Sequence, residues 1–177
     1  MPHLKTLRRP NLPRVQRPPG PVDGENGLDW GAAGWAGLAA GAAFVLVQTF
    51  SGLVFGGGGS EEAVRRLASV ALGEIALAAG TPLTPLVFFA AAAVHIPLSL
   101  IYARVLAAMI HGMGPARSLA AGALFGAALY YVNYHVISEV FPWFVSARGP
   151  AALVSHLVFG LLAAGIYERL TRPADRR

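Results

Sequence analysis

The stretch LTPLVFFAAAAVHIPLSLIYA, residues 83–103, decides the fold because it contains no charged side chain. A helix needs about 20 consecutive apolar residues to cross the hydrocarbon core of a bilayer. This stretch meets that length, and Pro82 and Arg104 flank it. Further apolar runs are bounded in the same way by Pro, Gly or charged residues. The sequence therefore predicts four transmembrane helices, at about 28–55, 83–103, 118–137 and 151–167.

The composition of the whole chain also indicates that lipid is its solvent. Of the 177 residues, 55% are hydrophobic and only 13% are charged, whereas soluble domains usually carry about 25% charged residues. The chain has no cysteine, which excludes disulfides, thiolate metal sites and cysteine nucleophiles. The net charge of +5 is concentrated at the two ends of the chain, where a membrane explains it better than nucleic acid. We therefore expect a lipid bilayer and no nucleic acid as partner.

The segments outside the predicted spans are of two kinds. Residues 1–27 are rich in Pro and basic residues, which predicts a disordered cytoplasmic tail, and residues 171–177 form a second cytoplasmic tail. Residues 60–80 instead predict an amphipathic helix that lies along the membrane interface. Its charged side includes Arg65, Arg66 and Ser69, and its apolar side consists of Val64, Leu67, Ala71 and Ile75.

The distribution of basic residues predicts the orientation. Cytoplasmic loops of membrane proteins carry an excess of Lys and Arg. With the N-terminus in the cytoplasm, only Arg65, Arg66 and Arg148 lie outside. The other eleven lie inside: Lys5, Arg8, Arg9, Arg14, Arg17, Arg104, Arg117, Arg169, Arg172, Arg176 and Arg177. We therefore predict an all-α, multi-pass membrane domain at 28–170, with four transmembrane helices, one interfacial amphipathic helix and both termini cytoplasmic. The Arg-, Ala- and Gly-rich composition favours a bacterial source and hence the inner membrane.

A weak internal repeat divides the chain into two halves. LAAGAAF at 38–44 recurs as LAAGALF at 119–125, and IYAR at 101–104 recurs as IYER at 166–169. The first predicted span thus matches the third, and the second matches the fourth. This pattern indicates a duplicated helical hairpin whose two halves share one orientation.

Small residues spaced four apart predict where the helices pack. Helices in lipid associate through close packing, for which small side chains let the backbones approach. Such pairs serve either contacts within the monomer, which we favour, or a homodimer. The residues concerned are Gly37, Gly41, Gly122, Gly126, Gly160 and Ala164.

Three histidines lie at different depths within the predicted spans. At about 1.5 Å per residue from the cytoplasmic arginines, His95, His156 and His135 are roughly 13, 20 and 27 Å deep. A polar cluster of Gln48, Asn133 and Ser155 lies at similar outer depths. The histidines could bind a divalent metal ion, serve as axial ligands of a haem b, or carry protons. Alternatively, each could form a hydrogen bond to the next helix, the reading we favour.

Aromatic residues follow the third predicted span. Phe141, Trp143 and Phe144 in EVFPWF predict a short interfacial segment, because aromatic rings favour the headgroup region. The alternative is a cover over the polar cluster.

The stretch from residue 118 to residue 170 resembles the YagU-like family of uncharacterised bacterial inner-membrane proteins. The likeness lies in a Gly- and Ala-rich span that ends near a histidine, a following PW loop, and a span that opens with HLV. In this chain the corresponding residues are Gly122, His135, Pro142, Trp143 and His156. The resemblance implies a multi-pass bacterial membrane protein and no specific activity.

The function predicted from these features is that of a non-catalytic integral membrane protein, such as an accessory subunit of a membrane complex. The sequence shows no nucleophile–base pair, phosphate-binding loop or paired carboxylates, so we do not expect an enzyme. One alternative is a haem- or metal-binding redox protein, and another is a small proton or metal-ion transporter. Both alternatives would use the intramembrane histidines.

Overall fold

The computed structural model describes residues 27–55, 60–78 and 82–172. Within these ranges the chain is helical and contains no β-strand. Except for Gly27, Thr171 and Arg172, the predicted tails at 1–27 and 171–177 lie outside the described residues. The five α-helices are α1 (Trp30–Phe55), α2 (Ser60–Leu72), α3 (Pro85–Ile110), α4 (Pro115–Tyr131) and α5 (Pro150–Thr171).

Three helical segments are long and apolar enough to cross a membrane: Trp30–Ser51, Pro85–Ile110 and Pro150–Thr171. The fourth predicted span, 118–137, is not one uniform α-helix. The α-helical part, α4, has 17 residues and ends at Tyr131. The chain then continues as a π-helical turn, Val132–Val136, and a 3-10 turn, Ile137–Glu139.

Helix α3 is longer than the predicted span. The side chain of Thr84 caps its start, ahead of Pro85 at the first helical position. The prediction ended the span at Ala103, but the helix continues to Ile110 because no helix-breaking residue occurs before Gly112. Gly112 has φ +76°, a conformation that glycine adopts without steric cost, and it turns the chain towards α4.

Helix α2 is shorter than the helix predicted over 60–80. The α-helix ends at Leu72, because Gly73 adopts φ +75° and a short 3-10 turn follows. Two residues also lie on faces other than those predicted. Ser69, expected on the charged side, is fully buried, whereas Ile75, expected on the apolar side, is 72% exposed. The reason is that α2 packs across α3 and buries the face centred on Ala68.

Helix α1 packs between α3 and α5, and α5 packs between α1 and α4. By contrast, α3 and α4 make few contacts with each other. Most buried side chains of α1 are alanines, and they pack with alanines of α3 and α5. Small side chains allow these helix backbones to approach closely.

Glycines set the close approach of two helix pairs. A Cβ atom at Gly41 would lie 2.9 Å from Ser99 Cβ, so α1 rests directly on α3. A Cβ atom at Gly122 would lie 2.8 Å from Ala164 Cβ, so α4 rests in the same way on α5.

The other predicted packing residues lie in the same two interfaces. A Cβ atom at Gly37 would lie 2.8 Å from Ala103 Cβ. A Cβ atom at Gly126 would overlap the carbonyl oxygen of His156, and one at Gly160 would overlap that of Gly122. The six small residues therefore lie in contacts within one chain.

These contacts reproduce the sequence repeat. The repeat equates Gly41 with Gly122 and, on the facing helices, Ser99 with Ala164; the structure brings Gly41 onto Ser99 and Gly122 onto Ala164. The repeat also equates Gly37 with Ser118, and Ala103 with Glu168. Gly37 contacts Ala103, and Ser118 correspondingly donates a hydrogen bond to Glu168. The packing of α1 on α3 thus recurs as the packing of α4 on α5, which supports a duplicated hairpin.

Candidate functional site

His156 on α5 is a buried histidine with both ring nitrogens paired. Its Nδ1 donates to the carbonyl oxygen of Ala152, one turn earlier, at 2.7 Å. In a neutral ring the other nitrogen, Nε2, is then an acceptor, and the side-chain amide of Asn133 lies 3.1 Å away as its donor. The partners of His156 therefore fix its tautomer and leave neither nitrogen free.

Asn133 reaches His156 from the π-helical turn that follows α4. This turn places Asn133 and the buried Tyr134 towards the bundle and leaves Val132 and Val136 exposed. The side-chain oxygen of Asn133 accepts a hydrogen bond from the Tyr102 hydroxyl at 3.3 Å. The row Tyr102, Asn133 and His156 thus joins α3, the π-helical turn and α5.

His95 joins α3 to α1. Its Nε2 donates to the carbonyl oxygen of Gly41 at 3.0 Å, and the Ser99 hydroxyl lies 3.5 Å from the same nitrogen. In the neutral ring, Nδ1 is then the nitrogen that can accept. A Cβ atom at position 41 would lie 3.3 Å from His95 Nε2, so glycine at this position leaves room for the histidine ring.

The third polar link joins α1 to α5. The Ser155 hydroxyl lies 2.8 Å from both the side-chain oxygen of Gln48 and the carbonyl oxygen of Ala151, two acceptors that share its proton. Ser155 is fully buried. The three polar residues selected from the sequence, Gln48, Asn133 and Ser155, therefore each bond to another helix.

A cavity of about 250 Å³ lies in the middle of these links, partly open on one side. His95, His156, Gln48 and Asn133 all line it. The ring of Phe44 stands against both histidines, with centroid distances of 5.6 Å to His95 and 4.8 Å to His156. Most of the lining surface is apolar, so the polar groups are few and local.

The cavity also borders α2 and the aromatic residues around the 3-10 segment Pro142–Ala147. Arg66 of α2 lines the cavity, as do Phe141 and Phe144. The indole of Trp143 donates to the Ser69 hydroxyl at 2.8 Å and so ties the 3-10 segment to α2. Phe141 and Phe144 therefore border the cavity, and their interfacial position stays a prediction.

The third predicted histidine lies apart from the other two. His135 stacks on Tyr131, with ring centroids 5.2 Å apart and planes 15° apart, and it is not among the residues that line the cavity. Among the described residues, no three His, Cys, Asp or Glu side chains are close enough to hold a metal ion. The structure does not assemble the predicted set of three histidine ligands.

The site also does not fit a haem. A haem between His95 and His156 would require a nitrogen of each ring to face the iron. Both ring nitrogens of His156 are instead bonded, to Ala152 and Asn133, and the Phe44 ring contacts both imidazoles. The arrangement can hold helices together and can offer hydrogen bonds to a small molecule in the cavity.

A second polar group, at the opposite end of the bundle, was not selected from the sequence. Ser118 donates to Glu168 at 2.5 Å, and Glu168 also pairs with Arg172 at 3.3 Å. His111, which sequence analysis left out of the site, lies 3.2 Å from the Tyr167 hydroxyl. Antiparallel pairing of the last two spans brings Ser118 and Glu168 to the same end, and this is the signal that could have found them.

Comparison with known proteins finds no family model, curated protein or solved structure that matches this chain. The resemblance to the YagU-like family stays a prediction.

Proposed function

We propose that this chain is a non-catalytic, multi-pass protein of the bacterial inner membrane, with four spans and both termini in the cytoplasm. It acts by binding rather than by transforming a substrate. The observation that carries this proposal is the inward-facing row of polar side chains. In this row, Asn133 bonds to both His156 and Tyr102 and so joins three helical segments. Polar groups that pair with each other inside an apolar bundle are typical of membrane-spanning helices.

The fourth span consists of α4 and its continuation. From Pro115 to Glu139 the helical chain covers roughly 35 Å at about 1.5 Å per residue, which exceeds a hydrocarbon core of about 30 Å. Large apolar side chains of this segment point outwards, including Leu124 at 73% exposure and Val136 at 51%. The α-helical part alone has 17 residues, and the π-helical and 3-10 turns supply the remaining length.

The test is to locate the two ends of this segment. Because the chain has no cysteine, a single introduced cysteine reports its position without background. Met113 and Glu139 are exposed and flank the fourth span. In spheroplasts, a membrane-impermeant maleimide should label Glu139→Cys directly and Met113→Cys only after permeabilisation. The control is Ser146→Cys, which should behave like Glu139→Cys. Labelling of positions 113 and 139 from the same side would refute the four-span arrangement.

A further inference from the structure

We propose that the cavity binds one uncharged, membrane-soluble molecule with a flat ring and a carbonyl or phenolic oxygen, the chemistry of a quinone headgroup. This inference rests on the proposed function, because it places the cavity at membrane depth. It adds a ligand site and a ligand class to that function.

The cavity lies between the two hairpins, α1 with α3 and α4 with α5, at the interface where they make few contacts. If the hairpins were related by a two-fold axis, the contact of α1 with α5 would be matched by an equal contact of α4 with α3. Instead, α1 and α5 pack closely while α3 and α4 make few contacts. The cavity occupies this open interface, between Val94 and Leu98 of α3 and Leu129, Asn133 and Ile137 on the opposite side. The departure from symmetry is therefore localised to the site.

The size and lining of the cavity favour a flat ring. An apolar cavity of about 150 Å³ accepts benzene, so about 250 Å³ has room for a second fused ring. Aromatic pairs prefer edge-to-face or offset arrangements, which gain free energy beyond the buried area. Aromatic rings line the space from α1, α5, the π-helical turn and the segment 141–144, and they belong to Phe44, Phe159, Tyr134, Phe141 and Phe144.

The polar groups on the cavity wall select an uncharged oxygen-bearing head. Gln48 uses its side-chain oxygen for Ser155, and its NH2 group, which has no partner among the described residues, can donate to a carbonyl oxygen. His95 uses Nε2 for Gly41, so Nδ1 can accept from a hydroxyl. Arg66 also lines the cavity, but it pairs with Glu62, so the part of the wall that the structure describes has no uncompensated charge that would favour an ionised ligand.

Tryptophan fluorescence provides the binding experiment. Trp143 lies with its ring 5.5 Å from Phe141, which lines the cavity. In a variant with Trp30→Phe and Trp35→Phe, Trp143 is the sole tryptophan of the chain. Titration of this purified variant with 2-methyl-1,4-naphthoquinone, which quenches indole fluorescence, should give saturable quenching at one molecule per chain. A matched protein that retains only Trp35, on the exposed surface of α1, should show only the linear quenching caused by ligand dissolved in the micelle.

Variants then assign the binding to the cavity. Val94→Phe, which fills the space, should weaken binding by at least about ten-fold. Ile101→Phe, on the same helix but 53% exposed and outside the cavity, should leave it unchanged. Gln48→Met should weaken binding of the naphthoquinone roughly five-fold, the value of one net hydrogen bond. It should not affect 2-methylnaphthalene, which has no oxygen and is measured as a competitor.

Three results would overturn the proposal: quenching of Trp143 fluorescence that does not saturate, equal effects of Val94→Phe and Ile101→Phe on binding, or displacement of the naphthoquinone by palmitate but not by 2-methylnaphthalene. The last result would mean that the cavity holds an acyl chain. Cysteine labelling is independent of ligand binding. If positions 113 and 139 label from opposite sides and no saturation is seen, only the ligand proposal fails.

Discussion

His156 is buried among apolar helices, and both of its ring nitrogens have hydrogen-bond partners. An unpaired polar group in hydrocarbon is costly, and here Nδ1 bonds within α5 while Nε2 bonds to Asn133. His95 follows the same principle through the Gly41 carbonyl. At the scale of single residues, these histidines connect helices, and each connection also forms part of the cavity wall.

Replacement of His156 by leucine should therefore lower the free energy of unfolding. The change leaves the Asn133 amide without its acceptor, and the expected loss is about 1–2 kcal/mol. His135→Leu is the matched control, since His135 contacts the rings of Tyr130 and exposed Tyr131 without taking part in the bond to Asn133, and we expect it to change stability by less than about 0.5 kcal/mol. Reversible unfolding in detergent, followed by circular dichroism, measures both values. Equal losses for the two variants would show that the bond to Asn133 does not stabilise the bundle.

The sequence gives the position of these residues along their helices but not the direction in which they point. Depth follows from the helical rise of about 1.5 Å per residue, and it grouped His95, His156 and His135 on the outer side. Direction depends on helix packing and on the π-helical turn, which rotates Asn133 towards α5 and leaves His135 beside Tyr131. Hydrophobic periodicity predicts a helix here but does not distinguish a single π-helical turn from an α-helical one.

Individual helices differ in how well their sequences specified them. Pro and Gly at the ends gave the start of α3 and of α5 to within two residues. The faces of α2 were assigned correctly only in part. Val64 and Leu67 pack on the buried cluster around Ala68 as predicted, whereas Ser69 is buried and Ile75 is exposed. Ser69 is buried only because α2 packs on α3 and Trp143 donates to its hydroxyl. A partner in the fold, rather than the local pattern, decides which face of such a helix is covered.

The α4–α5 contact provides a prediction for a whole element. In Gly126→Ala, the new Cβ atom would overlap the carbonyl oxygen of His156. A backbone atom cannot rotate away, so the two helices must separate, and the expected cost is about 1–3 kcal/mol of unfolding free energy. Gly165→Ala on α5 is the control, because its Cβ would meet Leu119 Cδ2 at an ordinary 3.5 Å and alanine favours the helix. Thermal unfolding in detergent compares the two variants, and an unchanged midpoint for Gly126→Ala would contradict the close contact.

The whole molecule is best understood as two helical hairpins with one contact left open. Equivalent positions of the repeat make equivalent contacts: Gly41 meets Ser99 and Gly122 meets Ala164. Between the hairpins, α1 packs on α5, whereas the interface of α3 and α4 encloses the cavity. The sequence repeat predicted the two hairpins but could not predict the open interface, because the repeat by itself implies that both contacts between hairpins are alike.

If the hairpins are self-contained units, the chain should tolerate a break between them. Gly112 and Met113 form an exposed turn. A break in the chain there removes one turn hydrogen bond, which the Met113 N–H donates to the Ile110 carbonyl oxygen. Exposed turns of this kind tolerate breaks well. Co-expressed fragments 1–112 and 113–177 should therefore insert separately and co-purify through an affinity tag on one of them, held together by the packing of α1 on α5.

The association should depend on that interface in a specific way. Ser155→Leu places a larger apolar side chain where the Ser155 hydroxyl bonds to Gln48, and it should reduce the co-purified fraction several-fold. Val154→Leu is the neighbouring control, because Val154 is 43% exposed, and it should leave the fraction unchanged. Fragments that insert but do not associate would show that the hairpins depend on a continuous chain. The duplicated packing would then describe a likeness of sequence and geometry without independent folding units behind it.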